Sequence, residues 1–304
     1  VRTPSDHSSR AATTWPLIAR FADAETRLAE NFARTRVRTF IYEFLRFGCK
    51  QAWACVFGGA MVALIVATHL WYPADAALAR YDFLFVAALV VQASMLSGRL
   101  ETLDEAKVIL IYHVIGTAME VFKTDVGSWT YPEAAWFHIG GVPLFSGFMY
   151  ASIGSYIARC WRLFDFRFSH HPPRWMLGVL ALSIYANFYT HHRIVDLRIG
   201  LFALSAVLFW RTRVHYRIWR AHRQMPLLLG FVLVALFIWL AENLGTLTHT
   251  WIYPHQAHGW SAVKLAKLGS WFLLLIVSYA LVAAVNRPRP LVERDARAAL
   301  SAGG

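Results

Sequence analysis

The sequence predicts an all-α polytopic membrane bundle of about eight transmembrane helices, arranged as two parallel four-helix repeats. Three observations lead there. Apolar windows recur along the chain, basic residues crowd every second connection, and two stretches 122 residues apart share one pattern.

The windows come first. Of 304 residues, 57% are hydrophobic and only 16% charged, well below the quarter or so of a soluble domain. Mean hydropathy is +0.41. Apolar windows suited to crossing a hydrocarbon core of roughly 30 Å as helices fall at 51–72, 82–98, 105–123, 137–160, 174–190, 196–210, 226–247 and 262–285, the second and sixth being short. The chain divides accordingly into a basic interfacial segment (1–48), a first repeat (49–165), a second repeat (172–286) and a mobile polar tail (287–304). Within the first segment, residues 15–47 mix arginine with Phe21, Leu28, Phe32, Phe40 and Phe44, the pattern of a helix lying in a membrane interface. No short apolar core followed by a small-residue cleavage site precedes it.

Charge then orients the bundle. A net charge of +12 suggests nucleic acid, but its distribution argues against that partner. Basic residues gather before the first window (Arg34, Arg36, Arg38, Arg46, Lys50), after the fourth (Arg159, Arg162, Arg167, Arg174), after the sixth (Arg211, Arg213, Arg217, Arg220, Arg223) and after the eighth (Arg287, Arg289). The alternate connections hold little more than Arg80, Lys123 and Arg193. By the positive-inside rule both termini are cytoplasmic in a multi-pass protein of the cell membrane. Cys49, Cys55 and Cys160 offer neither a disulfide framework nor a paired metal spacing, so no metal and no cofactor is expected from them.

The repeat supplies the candidate site. Residues 120–132 read E-V-F-K-T-D-V-G-S-W-T-Y-P and residues 242–254 read E-N-L-G-T-L-T-H-T-W-I-Y-P, five of thirteen positions being identical. The same offset aligns Thr68-His69 with Thr190-His191 and Trp53 with Trp175; one inserted residue aligns Ser155-Tyr156 with Ser278-Tyr279. A four-helix unit returns the chain to its starting side, so both motifs face the outer surface. The symmetric set is His69/His191, Glu120/Glu242, Thr124/Thr246, Trp129/Trp251 and Tyr131/Tyr253.

A carboxyl placed about 7 Å inside a helix end is costly to bury, and a functional group or an interhelical tie repays that cost. Burial favours a protonated acid, so Glu120 and Glu242 are expected to face a shared cavity with at least one of them neutral near pH 7. His113 lies two helical turns before Glu120 on the same face, and Thr124 and Thr246 stand one turn beyond each glutamate, placed to hydrogen-bond it. An aromatic belt with a helix-ending proline produces the same W-x-Y-P pattern without chemistry. His170, His171 and His215 sit in basic connections and are expected to be solvated; His255 and His258 flank an outer loop. Lys264 and Lys267 suit snorkelling to headgroups, and Lys267 is also placed to pair with Glu242.

Residues 42–285 resemble a bacterial membrane family carried as domain of unknown function eight hundred and seventeen. More remotely, Glu120 with Trp129-x-Tyr131-Pro132, then Gly141-Val-Pro143-Leu144 and an aromatic helix, is similar to the small-subunit type of lycopene cyclase and to carotenoid hydratases. That resemblance implies acidic residues protonating a polyene, with the donor at Glu120 or Glu242. Trp129, Tyr131, Trp251 and Tyr253 would then stabilise a carbocation. The cyclases' Pro-x-Glu-Glu motif is not present, since Pro132-Glu133 lacks the second acid.

The sequence is compatible with three function classes. The first is a membrane enzyme doing acid–base chemistry (cyclisation, hydration or isomerisation) on an apolar isoprenoid lipid. The second is a proton- or cation-coupled transporter or channel using the glutamate pair. The third is a metal-dependent oxidoreductase built on His69, His113, His191 and the two carboxylates. The partner expected throughout is a membrane lipid or another apolar small molecule; the oligomeric state is open. The topology is testable directly: Gly259→Cys should be labelled from outside by an impermeant thiol reagent and Ser301→Cys should not. The opposite pattern would move the site to the other face.

Overall fold

The computed structural model describes residues 35–191 and 194–291, in two compact units that divide at Cys49/Lys50. Residues 15–34 of the expected interfacial helix lie outside the described residues. Its remainder is helical from Arg36, within helix α1 (Arg36–Ala54), and Val37, Phe40, Phe44 and Leu45 are exposed there.

From Lys50 onward the fold is mostly helical. The elements are α2 (Val56–Trp71), α3 (Arg80–Ser97), α4 (Leu103–Asp125), a hairpin β1 (His138–Ile139) and β2 (Val142–Pro143), and α5 (Phe145–Leu163). There follow β3 (Arg167–Ser169), α6 (Arg174–Thr190), α7 (Arg198–Phe209), β4 (Arg213–Arg217), β5 (His222–Pro226), α8 (Leu227–Leu247) and α9 (Ala266–Val285). Sequence explains most of the boundaries. Thr102 and Glu105 form a reciprocal capping box that starts α4, while Pro173 and Pro226 stand immediately before α6 and α8.

Among the described residues three helices, α3, α8 and α9, are long and apolar enough to cross a membrane, or four if α1 and α2, which meet at Cys55, form one broken span. The other expected windows differ for physical reasons. Six charged residues interrupt α4, and α6 and α7 have only 17 and 12 residues. Residues 137–144 form a hairpin instead of opening α5, because Gly140 and Gly141 take positive φ (57° and 79°). Outward-facing Val179, Leu182, Ile199, Val207, Phe237 and Leu240 leave an apolar surface that suits lipid better than water.

Helix contacts recur in the two groups. In the first, α2 packs on α3 and α5, and α4 on α5; in the second, α6 packs on α7 and α9, and α8 on α9. Between groups, α9 meets α4 and α5, and α2 meets α8. The Tyr112 hydroxyl donates to the Ser278 carbonyl, and that of Tyr81 to the Thr250 carbonyl at 2.9 Å. Helices α4 and α5 pack through Gly116, Gly147 and Gly154, the small-residue packing that lets helices approach where water does not drive them together.

Two features correct the helix-only expectation. Strands β3, β4 and β5 form an antiparallel sheet in the order β3-β4-β5. Residues 287–291, expected within a mobile tail, pair with β3: Phe168 donates to the Arg289 carbonyl at 3.0 Å, and Leu291 to that of Phe168 at 3.2 Å. The remainder of that tail lies outside the described residues.

Glycine substitutions separate tight contact from open helix. A Cβ at Gly154 would come within 2.7 Å of the Tyr112 ring, which its hydroxyl bond holds in place, whereas nothing lies within 4 Å of one at Gly178. Gly154→Ala is expected to cost about 1–3 kcal/mol. Gly178→Ala is expected to be neutral or to gain up to about 1 kcal/mol. Thermal unfolding in detergent orders the two variants.

Candidate functional site

The two E-x-x-x-T motifs end their helices in the same way. After α4, Val126 donates to Phe122 O, Gly127 to Thr124 O and Ser128 to Lys123 O, with Gly127 at φ 70°. After α8, Thr248 donates to Leu244 O, His249 to Thr246 O and Thr250 to Gly245 O, with His249 at φ 53°. This left-handed cap satisfies the last carbonyls and reverses the chain over its own helix. Each reversal brings the tyrosine eleven residues after the glutamate back onto it. Tyr131 donates to Glu120 Oε2 at 2.6 Å, and Tyr253 donates to Glu242 Oε1.

Further donors come from elsewhere. Trp129 Nε1 reaches Glu120 Oε2 at 2.8 Å, and the Tyr150 hydroxyl, from α5, reaches Oε1 at 2.7 Å. Glu242 receives Trp271 Nε1 from α9. Trp251, the counterpart of Trp129, lies over Gly245 instead. Both carboxyls are buried, at 3% and 4% exposure. A buried carboxyl is tolerable only where such donors replace its lost water.

The two sites form one layer. Thr130 and Ile252, themselves 122 residues apart, exchange backbone hydrogen bonds of 3.0 and 2.9 Å, and Trp129 meets Tyr253 edge-on at 5.9 Å. The ammonium of Lys267 lies 4.5 Å from the Trp129 ring centroid and 4.7 Å from that of Tyr253. Its charge stands between rings that belong to the two carboxyls' shells, and among the described residues it ion-pairs with neither carboxyl. Desolvation, followed by the adjacent glutamate, holds the Tyr131 and Tyr253 phenols well above their ordinary range, so both stay neutral donors at any physiological pH.

The other candidates take different places. Thr246 donates to Asn243 O at 3.1 Å and accepts from Trp260 Nε1 at 3.2 Å, and the Thr124 hydroxyl is buried without a partner, so neither threonine bonds its glutamate. His113 lies against Phe148, ring centroids 4.4 Å apart, its Nδ1 buried and unpartnered. His69 is exposed and stacks on His249 at 6.3 Å; His191 caps α6 with its Nδ1 2.9 Å from Asn187 O. Among the described residues no group of three or more His, Cys, Asp and Glu converges, so the histidine–carboxylate metal set is not assembled. Two histidines expected to be solvated are engaged: His171 Nε2 lies 2.8 Å from the Tyr279 hydroxyl, and His215 Nε2 3.2 Å from Ser169 Oγ.

Sequence reasoning missed Tyr150 and Trp271, whose only signal is an aromatic on the following helix about 30 residues after each glutamate. It also read Arg159 as a topogenic surface charge. Arg159 is fully buried and ion-pairs at 3.0 Å with Glu101, equally buried, which also accepts from Ser155 at 3.1 Å.

The model of a family described as a protein of unknown function (DUF817) matches residues 43–279. The uncharacterized protein YoaT of Bacillus subtilis (strain 168) is 42% identical over 247 residues, covering 81% of this chain and 93% of that protein. A crystal structure of a cross-linked MvINS trimer aligns with 63% of this chain and 98% of that chain at 12% identity, with a TM-score of 0.46.

The donor shell generates a double-mutant test. Tyr131→Phe should lower stability by about 1.5–3 kcal/mol, the worth of a hydrogen bond to a charged group. In a Glu120→Gln background the same change should cost at least about 1 kcal/mol less. Equal costs in both backgrounds, measured by unfolding in mixed micelles, would show that the bond carries no energy.

Proposed function

The chain belongs to the DUF817 family, and from the geometry of its paired glutamates we propose a membrane-embedded enzyme that performs acid–base chemistry on an apolar isoprenoid-type lipid. In this reading about eight helices span the bilayer as two parallel four-helix repeats, with both termini on the cytoplasmic side. Substrate reaches the Glu120/Glu242 layer from the lipid.

The observation that carries the proposal is Lys267. Its ammonium rests over Trp129 and Tyr253 in the layer that holds both carboxyls, so these rings stabilise a positive charge there. A carbocation makes the same demand. One carboxyl delivers its proton to a carbon–carbon double bond, leaving a carboxylate and a cation on the neighbouring carbon. The cation is quenched when an adjacent C–H bond gives its proton to the other carboxylate, or when water adds and loses a proton to it. The first route isomerises; it cyclises when a second double bond of the same chain first attacks the cation, closing a carbon–carbon bond and moving the charge to a new carbon that then loses its adjacent proton. The second route hydrates, and none of these steps needs an oxidant. Tyr131 and Tyr150 hold the Glu120 carboxyl in place, and Tyr253 holds that of Glu242. The remote resemblance of the Glu120…Trp129-x-Tyr131-Pro132 segment to lycopene cyclases and carotenoid hydratases, read from sequence, implies the same chemistry, whereas the family match carries no activity.

One observation favours a second reading, a proton- or cation-coupled transporter. The buried residues of α4 include Glu105, Tyr112, Thr117 and Glu120, polar groups interspersed with Val108 and Ile109 on a helix whose inner half reads as apolar in sequence.

Comparison of lipid and pigment extracts from cells with and without the protein separates the two. A changed polyene or isoprenoid species is expected, reduced at least about 100-fold in Glu120→Gln or Glu242→Gln, as befits loss of a general acid. Unchanged lipids together with proton flux in proteoliposomes would replace the enzyme by the transporter.

A further inference from the structure

The connections between α5 and α6 and between α7 and α8 are basic in sequence, and the fold gathers them into one sheet. Pairing sets Arg167 opposite His215, Ser169 opposite Arg213, and Arg217 opposite His222, and residues directly opposite share a face. Strand alternation therefore puts Arg167, Arg213, His215, Arg217 and His222 on one face, and Phe168, Val214, Tyr216, Arg223 and Met225 on the other, where Phe168, Val214 and Met225 join the hydrophobic core.

On the basic face the charge is not balanced. Asp165 lies 3.1 Å from Arg167, 3.5 Å from Arg217 and 3.5 Å from His222. One carboxylate thus serves two guanidinium groups and an imidazole. Arg213 is exposed with no ion pair among the described residues, and Arg167 Nε is buried with no hydrogen-bond partner. Three arginines against one aspartate leave two positive charges, before either histidine is counted.

The height of the sheet selects the anion. Strand β5 ends at Pro226, and the next residue begins α8, one of the helices long and apolar enough to cross a membrane. Leu229, Val232 and Leu233 face outward on its first two turns. Trp175, at the start of α6, and Trp210, at the end of α7, are 68% and 79% exposed, an aromatic girdle at the same level. A basic surface joined to an apolar one at that position meets a phosphodiester at the end of an acyl chain.

We infer that the outward face of the β3-β4-β5 sheet binds the phosphate headgroup of an anionic phospholipid. Arg213 and Arg217 contact the phosphate oxygens, and the outer surface of α8 receives an acyl chain. This rests on the reading of the bundle as membrane-spanning but not on the chemistry of the glutamate layer.

The test is native mass spectrometry of the full chain, purified in detergent and offered equal amounts of phosphatidylglycerol and phosphatidylcholine of matched chains. Preferential retention of phosphatidylglycerol is expected. It should fall roughly fivefold in Arg213→Gln and further in the Arg213→Gln/Arg217→Gln double variant. Arg174→Gln, which removes a basic residue off the sheet, should leave it unchanged. Arg213 has no ion pair to lose among the described residues and is exposed, so the single variant stays folded and informative. Retention unaffected by Arg213→Gln, or lowered as much by Arg174→Gln, overturns the site. Thermal stabilisation by inorganic phosphate equal to that by the lipid overturns the lipid assignment. A chain recovered without detergent in the soluble fraction would overturn the membrane reading with it; an embedded chain indifferent to the lipid overturns this inference alone.

Discussion

A carboxyl group withdrawn from water must be given hydrogen-bond donors, and in this protein that requirement shapes the end of the fold where α4 and α8 terminate. Glu120 and Glu242 lie within their helices, where the helical backbone has no free N–H groups to offer. The donors therefore come from chain beyond the helix end, and the left-handed caps at Gly127 and His249 are what turn that chain back. Once Tyr131 and Tyr253 are seated, Thr130 and Ile252 lie side by side, and their exchanged hydrogen bonds join the two loops. Satisfying two buried acids thus also ties the two groups of helices together.

The layer is symmetric in its frame and asymmetric in its chemistry. Both glutamates receive a tyrosine at the same spacing, but Glu120 adds Trp129 and Tyr150 where Glu242 adds Trp271. Lys267 supplies one cation for two acids and rests on aromatic faces rather than on an oxygen. Two equal sites would compete for one proton or one substrate. In the proposed acid–base reading, unequal shells are what would let one carboxyl give a proton while the other receives it.

At the opposite end the same constraint is met differently. Glu101 and Arg159 are both withdrawn from solvent, and each neutralises the other, with Ser155 completing the carboxylate. Such a pair adds little net stability because desolvation offsets the attraction, but losing either partner strands the other charge. Arg162 and Glu105 repeat the pairing nearer the surface at 3.0 Å. Beyond them the β3-β4-β5 sheet spreads the surplus positive charge over one flat face, with its apolar side facing the core.

Sequence alone determined the features that composition and short-range pattern dictate. Apolar windows locate helices because a chain in lipid must satisfy its backbone internally. The 122-residue offset picks out Glu120/Glu242 and Tyr131/Tyr253, since donor and acceptor are only eleven residues apart and the cap between them is local. Even the sheet had a local trace, the alternation R-V-H-Y-R at 213–217, which the basic character of the connection masked. Only the tertiary structure decided the contacts between distant segments. Tyr150 and Trp271 reach their carboxyls from the next helix in each repeat, and an aromatic about 30 residues after each glutamate is too common in so aromatic a chain to single them out. Arg159 resembles its arginine neighbours in every local respect; it is buried because Glu101, 58 residues earlier, lies beside it. Lys267 has the sequence signature of a residue reaching for headgroups, yet its ammonium lies over Trp129, 138 residues away along the chain. A charge's environment is set by what packs around it in space, and that depends on how all the helices assemble.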